Sequence, residues 1–181
     1  MGGGPEQPSR CLYRAAFPSV GLVAQCRSDH DCRVGYYYGD PDEPVWLSPP
    51  ADHPTLPKPE VIWRAATFAE IRFQCGPGCR FSYFFEAKRR RVSPPRPQVL
   101  DVEMHRLLVA PAAGRSLVAR QIFSGPEVAR IERDWAPGPL ESAVTALRFD
   151  PDGRLTFTWL KGTERTPITE RISIPSMPRQ P

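Results

Sequence analysis

Long apolar runs, lysine and known catalytic motifs are all scarce in this chain of 181 residues. No stretch approaches the roughly 20 consecutive apolar residues of a membrane-spanning helix. Lysine occurs three times, against 21 arginines. The sequence lacks G-x-S-x-G, a Walker loop, a dinucleotide fingerprint and H-E-x-x-H, so nothing points to the enzymes that depend on those motifs. We therefore expect a protein that is not an enzyme and that binds no metal or cofactor.

Proline is abundant, and it predicts the kind of secondary structure. The 23 prolines outnumber the 13 glycines. A proline inside a helix costs about 3 kcal/mol, so long helices are disfavoured along the whole chain. Hydrophobic residues make up 40% and aromatic residues 10% of the sequence, enough for a packed core and too many for a disordered chain. These proportions predict short strands joined by proline-rich turns.

The first half of the chain contains a duplicated pattern. Residues 22–38 read Leu-Val-Ala-Gln-Cys, a turn, and Cys-Arg-Val-Gly-Tyr-Tyr-Tyr. Residues 71–85 read Ile-Arg-Phe-Gln-Cys, a turn, and Cys-Arg-Phe-Ser-Tyr-Phe-Phe. Both copies then reach Ser-Pro-Pro, at 48–50 and at 93–95. The shared order of these elements indicates an internal duplication.

Two further repeats without cysteine follow the same plan of strand, Gly-containing turn, Arg and strand. Their turns are Pro111-Ala-Ala-Gly114 and Asp150-Pro-Asp-Gly153, in which glycine supplies a positive φ. The fold class predicted is all-β, with antiparallel meanders of about 40 residues repeated about four times, as a partial β-propeller or as two packed sheets. We expect a flexible segment at 1–10 and a single β-repeat domain at 11–181. Its repeats cover roughly 11–50, 61–100, 101–135 and 141–175.

Four of the five cysteines form two closely spaced pairs, Cys26 with Cys32 and Cys75 with Cys79. Each pair spans the mouth of a predicted hairpin, where Cα atoms come within disulfide distance. We expect two local disulfides, worth about 2–3 kcal/mol each. A zinc site is one alternative, although only Cys75 and Cys79 have the spacing of a zinc knuckle. The other alternative is that these cysteines are reduced thiols. In each case Cys11 is left unpaired.

The histidines and the one basic cluster have simple structural explanations. His30, His53 and His105 fall in predicted turns or connectors without metal-ligand spacing, so we expect them to be exposed. The net charge is +4, and the cluster at 88–91 reads Lys-Arg-Arg-Arg. Such a cluster can bind nucleic acid. Because no recognition helix or aromatic RNA-binding signature accompanies it, we favour a solvated turn and expect no nucleic acid partner.

Stiff loops on a β scaffold suit protein recognition, since a preorganised loop loses little entropy on docking. Residues 111–116, 124–126 and 135–139 are the candidate loops. Within them we predict contacts to a protein partner by a small set of residues. These are Ser116, Ser124, Gly125, Pro126 and Trp135.

The repeated Gln-Cys and Cys-Arg hairpins, in a small β-repeat chain without an active-site motif, resemble the periplasmic immunity proteins that neutralise type VI secreted peptidoglycan amidases. The resemblance covers most of residues 20–174 and implies a bacterial inhibitor that plugs a Cys/His active site. It implies periplasmic localisation, which agrees with disulfides. Because residues 1–4 show no signal-peptide pattern, we expect export to depend on a leader absent from this sequence. The alternative is a cell-envelope module that binds polysaccharide or another subunit.

Overall fold

A computed structural model describes residues 8–15, 19–51, 53–103 and 106–175. The chain divides into two compact units, Met1–Pro97 and Gln98–Pro181. Within the described residues, the first unit contains nine strands. They are β1 (Ser9–Arg14), β2 (Val20–Ser28), β3 (Asp31–Tyr38), β4 (Val45–Trp46), β5 (Glu60–Ala65), β6 (Phe68–Gly76), β7 (Cys79–Glu86), β8 (Arg91–Val92) and β9 (Arg96–Pro97).

The described part of the second unit contains seven strands and one short helix. They are β10 (Asp101–Glu103), β11 (Leu107–Ala112), β12 (Ser116–Gln121), β13 (Glu127–Ile131), α1 (Leu140–Ala143), β14 (Val144–Phe149), β15 (Arg154–Lys161) and β16 (Thr166–Ser173).

Each unit consists of two antiparallel meanders, in which consecutive strands are neighbours. The sheets of the first unit have the orders β1-β2-β3-β4 and β5-β6-β7-β8, and β9 also pairs with β7. Those of the second unit have the orders β10-β11-β12-β13 and β14-β15-β16. Both sheets of a unit contribute to one hydrophobic cluster. The prediction of an all-β chain of antiparallel meanders is confirmed.

Alternation of side chains along the central strands builds these clusters. Leu155, Phe157 and Trp159 are at most 3% exposed, whereas the intervening threonines are partly exposed. Complete burial of such a side chain stabilises the folded state by about 1.5–3 kcal/mol. Strand β7 is buried on both faces, because Phe84 is buried as well as Phe81. The predicted period of two is therefore confirmed for β15, and the predicted burial of both faces is confirmed for β7.

Prolines occupy positions where a sheet needs no N–H donor. Pro167 lies in the edge strand β16, opposite Leu160. Pro111 lies near the end of β11. The pairing of β11 with β10 ends at Val109, two residues earlier. The sequence placed Pro111 inside a turn, but the turn itself covers 113–115. A proline is tolerated there because the neighbouring strand has already ended.

Part of the segment predicted to be flexible belongs to a strand. Residues 1–7 of the predicted flexible segment lie outside the described residues, and Ser9 and Arg10 belong to β1, where they pair with Cys26 and Gln25. The single β-repeat domain stays a prediction.

Among the described residues, no helix is long and apolar enough to cross a bilayer.

Candidate functional site

The duplicated hairpins carry two disulfides, as predicted. Cys26 and Cys32 are direct cross-strand partners of β2 and β3, with their Cα atoms 4.0 Å apart. Cys75 and Cys79 join β6 to β7, with their Cα atoms 5.1 Å apart. Gln25 pairs with Arg33 in the first hairpin as Gln74 pairs with Arg80 in the second. The repeated sequence pattern is therefore a repeated structural element.

The two disulfides differ in register and exposure. In the first hairpin, Cys26 is 6% and Cys32 is 3% exposed. In the second, the pairing shifts between Gln74 and Gly76, so Cys75 lies in a β-bulge and Cys79 faces Gly76. Both of these cysteines are partly exposed. A bulge re-aims the side chains around it, and this one leaves the second disulfide accessible from solvent.

His53 lies beside this second disulfide. Its Nε2 atom is 3.6 Å from the Sγ atom of Cys79, and its ring stacks on Phe81 with centroids 5.6 Å apart. The expectation that His53 is solvent-exposed is wrong, because the Phe81 ring covers one of its faces and the residue is partly buried. His30 is exposed in the first hairpin turn, as expected. His105 lies outside the described residues.

The proline-rich connector between β4 and β5 brings His53 to this position. The N–H of Cys32 donates to the C=O of Leu56 at 2.7 Å, and the N–H of Lys58 donates to Asp29 at 2.8 Å. The Tyr83 hydroxyl donates to the C=O of Ser48 at 2.7 Å. These bonds hold both ends of the connector against the sheets. Sequence reasoning missed the site because no local pattern links His53 to cysteines more than twenty residues later.

A buried carboxylate in the same unit is a structural group. Glu70 is 0% exposed and accepts hydrogen bonds from Arg64 (2.9 Å), Arg72 (3.1 Å) and Ser82 (2.7 Å). Burial raises the pKa of Glu70, but the hydrogen bonds from Arg64 and Ser82 outweigh it and hold the pKa below the usual value of a glutamate. A carboxylate with this many donors stays ionised. It is poorly placed to act as a proton acceptor in catalysis.

The basic cluster lies in the turn between β7 and β8. Residues 88–90 are exposed, as expected of a solvated turn. Arg91 donates to Glu86 at 2.6 Å, and the Arg89 guanidinium lies 3.7 Å from the same carboxylate. The Arg90 guanidinium stacks 4.8 Å above the Tyr38 ring. Ion pairing and stacking within the protein therefore account for three of its four charges.

Among the predicted partner-binding residues, Ser124, Gly125 and Pro126 form the loop between β12 and β13. Ser124 and Pro126 are exposed and Gly125 is partly exposed. The Gly125 N–H donates to the C=O of Gln121 at 3.2 Å, and the Gln121 N–H donates to Pro126 at 3.1 Å. The Ser124 hydroxyl also donates to the Gln121 side chain. The backbone bonds of Gly125 and Pro126 to Gln121 thus fix this loop at the end of β12.

Ser116 and Trp135 do not present their side chains to a partner. Ser116 is 0% exposed, and its Oγ donates to the C=O of Ala113 at 3.1 Å and accepts from Arg130 at 2.5 Å. Trp135 is 5% exposed and packs edge-on against Trp159, with ring centroids 5.2 Å apart. We correct both assignments. The hydroxyl fixes a hairpin end and the indole fills the core, so a docked protein reaches neither.

The loops predicted at 111–116 and 135–139 meet at a shallow cleft of about 390 Å³. Ala113 and Arg115 line one side, and Gly138 and Pro139 line the other. The guanidinium of Arg115 donates to the C=O of Ala136 and ties the two loops together. This cleft and the 124–126 loop lie at opposite ends of β12, a strand of about 20 Å. One narrow plug therefore cannot include both.

A second cleft of about 560 Å³ lies in the second unit, between β10 and the turn from β14 to β15. Glu103 lines it and accepts from Arg106 at 2.5 Å through Oε1. The Oε2 atom of Glu103 is buried and has no hydrogen-bond partner within the described residues. Asp150, on the opposite wall, is held by Thr156 and Arg171, both at 2.7–2.8 Å.

No protein-family model matches this chain, and no curated protein matches it significantly. Among the residues that the sequence singles out, the structure offers an exposed, hydrogen-bonded loop at 124–126 and a histidine beside an accessible disulfide.

Proposed function

We propose that the protein is a periplasmic inhibitor of the immunity type, which binds a secreted cell-wall hydrolase and occludes its active site. The loop at 124–126 is the part that enters the active-site cleft. Ser124 and Pro126 stand exposed at its tip, and the hydrogen bonds to Gln121 fix its backbone before any partner binds. Preorganisation of this kind lowers the entropy that binding costs. This fixed exposed loop is the observation that carries the proposal.

The chemistry of the loop fits a narrow cleft. Its exposed residues are small and carry no net charge, so they enter a cleft without placing an unpaired charge in it. The hydrolase class that the sequence resemblance implies has a Cys/His active site. A small loop over the cysteine excludes substrate by steric occlusion, without any reaction of the inhibitor itself.

The two disulfides support the proposed compartment. Both hairpins are cross-linked in the folded chain, and such bonds persist in oxidising compartments such as the periplasm. The proposed mode of action also requires the periplasm, because a cell-wall amidase acts there.

The test is inhibition of each small secreted Cys/His hydrolase encoded beside this gene. Release of soluble fragments from purified peptidoglycan is measured against inhibitor concentration. We expect stoichiometric inhibition by the unmodified chain, and protection of cells that export it. Substitution Ser124→Trp raises the half-inhibiting concentration about 30-fold or more, the effect of losing a contact of about 2 kcal/mol.

The matched control is Thr163→Trp, at an exposed position in the turn between β15 and β16. This variant adds the same indole to a different loop, and we expect it to inhibit as well as the unmodified chain. Equal loss in both variants would contradict the role of 124–126. Absence of inhibition, together with retention of the chain on peptidoglycan alone, would favour a cell-envelope binding module instead.

A further inference from the structure

The second disulfide hairpin brings three metal-ligating side chains to one point. The ligand atoms of His53, Cys75 and Cys79 all lie within 4.8 Å of one another. Among the described residues they form the one group of three or more such side chains that converge in this way. Two sulfurs and one imidazole nitrogen are a donor set that Zn²⁺ accepts, with a fourth position left for water.

We propose that reduction of the Cys75–Cys79 disulfide creates a binding site for one Zn²⁺ ion, formed by His53, Cys75 and Cys79. In the oxidised protein the two sulfurs are bonded to each other. The oxidised form therefore does not bind the metal, and the reduced form does. The proposal is independent of the inhibitor function.

The chemistry balances with a dithiol as reductant. The dithiol transfers two electrons and two protons to the disulfide, the S–S bond breaks, and the reductant becomes its own disulfide. Binding of Zn²⁺ then displaces one proton from each cysteine, since the thiolate is the ligand. His53 contributes the lone pair of its neutral Nε2 atom.

The protein holds the ligands in place without help from the disulfide. Pairing of Gln74 with Arg80 and of Phe73 with Phe81 fixes the hairpin on both strands. His53 is positioned by the stack of its ring on Phe81 and by the hydrogen bond from its backbone N–H to the C=O of Pro50 at 2.9 Å. The three donors therefore remain near one another when the sulfurs separate to the wider spacing of a metal site.

The other copy of the repeat provides an internal comparison. Cys26 and Cys32 are almost fully buried, and the histidine of their hairpin, His30, is exposed. The spacing also differs, with five residues between these cysteines and three between Cys75 and Cys79. Zinc knuckles use two to four. Of the two hairpins, only the second therefore combines solvent-accessible cysteines, the cysteine spacing of a zinc knuckle and a neighbouring imidazole.

The experiment uses the full chain with Cys11→Ser, which removes the unpaired thiol. The protein is reduced with dithiothreitol, desalted under nitrogen and titrated with Co²⁺ alone as a spectroscopic probe. We expect one equivalent to give the visible absorption of tetrahedral thiolate coordination, and Zn²⁺ to displace it. The oxidised protein gives no such absorption. Absence of the band after reduction would overturn the proposal.

Two variants in the same background assign the ligands. Cys75→Ser with Cys79→Ser abolishes the band while Cys26 and Cys32 remain, so a retained band would overturn the assignment. His53→Phe keeps a ring that stacks on Phe81 but removes the nitrogen, and it also preserves the disulfide in the oxidised protein. We expect it to weaken Co²⁺ binding more than about 100-fold, beyond the roughly 10- to 100-fold loss caused by changing a residue that only supports a ligand. Unchanged affinity would exclude His53 as a ligand.

Discussion

The Nε2 atom of His53 lies 3.6 Å from the Sγ atom of Cys79, although 26 positions separate the two residues in the chain. The equivalent disulfide in the other repeat is buried, and the histidine of its hairpin is exposed. One structural element thus occurs twice in different environments. Both hairpins contain a register shift, after Cys26 in the first and at Cys75 in the second. The difference therefore arises from the position of this shift and from the course of one connector, and it has measurable consequences.

The first prediction concerns the order in which the disulfides are reduced. We expect limiting dithiothreitol to open Cys75–Cys79 well before Cys26–Cys32, because an attacking thiolate must reach a sulfur atom. The measurement is trapping with iodoacetamide followed by peptide mass spectrometry over time. Labelling of both pairs at the same rate would show that burial does not control access in this fold.

The second prediction concerns Glu70. Substitution Glu70→Gln removes the charge that Arg64 and Arg72 pair with, and we expect a loss of about 2 kcal/mol in the free energy of unfolding at pH 7. Because folding lowers the pKa of Glu70, its contribution to stability is complete above the unfolded-state pKa and disappears as the pH falls through the folded-state pKa. Urea unfolding of both proteins at pH 7 and at decreasing pH measures this. A difference that grows in acid would contradict the assignment.

The third prediction separates two costs of adding a methyl group in a turn. Gly114 has φ +76° with nothing within 4 Å of an added Cβ, whereas Gly153 has φ +79° with Glu103 Oε1 3.1 Å away. Gly114→Ala is therefore destabilised only by the left-handed backbone conformation, by about 1–2 kcal/mol. Gly153→Ala is destabilised by the same amount and must also displace Glu103. Thermal unfolding of the two variants should rank Gly153→Ala as the less stable, and the reverse order would be inconsistent with this turn geometry.

The fourth prediction tests the correction of Ser116. Substitution Ser116→Ala removes the hydroxyl that bonds Ala113 and Arg130, so we expect about 1 kcal/mol of destabilisation. Inhibition of a hydrolase that the protein binds should be unchanged, in contrast to Ser124→Trp. Thermal unfolding and the peptidoglycan-release assay measure the two effects separately. A selective loss of inhibition with normal stability would restore Ser116 as a contact residue.

The sequence by itself determined the fold class and the disulfides. Alternation of apolar and polar residues, as in Leu155-Thr-Phe-Thr-Trp159, specifies which face of a strand is buried, and this is a local property of the chain. The repeated Gln-Cys and Cys-Arg pattern likewise specified the disulfides, because cysteines on either side of a hairpin turn meet by local geometry. Gly114 and Gly153 were read correctly as turn residues for the same reason.

The tertiary structure alone decided which of the candidate residues are accessible. The same local pattern, a serine beside a Gly-containing turn, describes Ser116 and Ser124, yet Arg130 covers the first and solvent reaches the second. Trp135 likewise follows no strand pattern and is buried because Trp159 packs against it. His53 approaches Cys79 only through the folded connector. Burial and proximity between distant residues depend on packing, which a local pattern does not encode. In this protein, packing decides which candidate residues are part of the core and which are exposed to a partner or ligand.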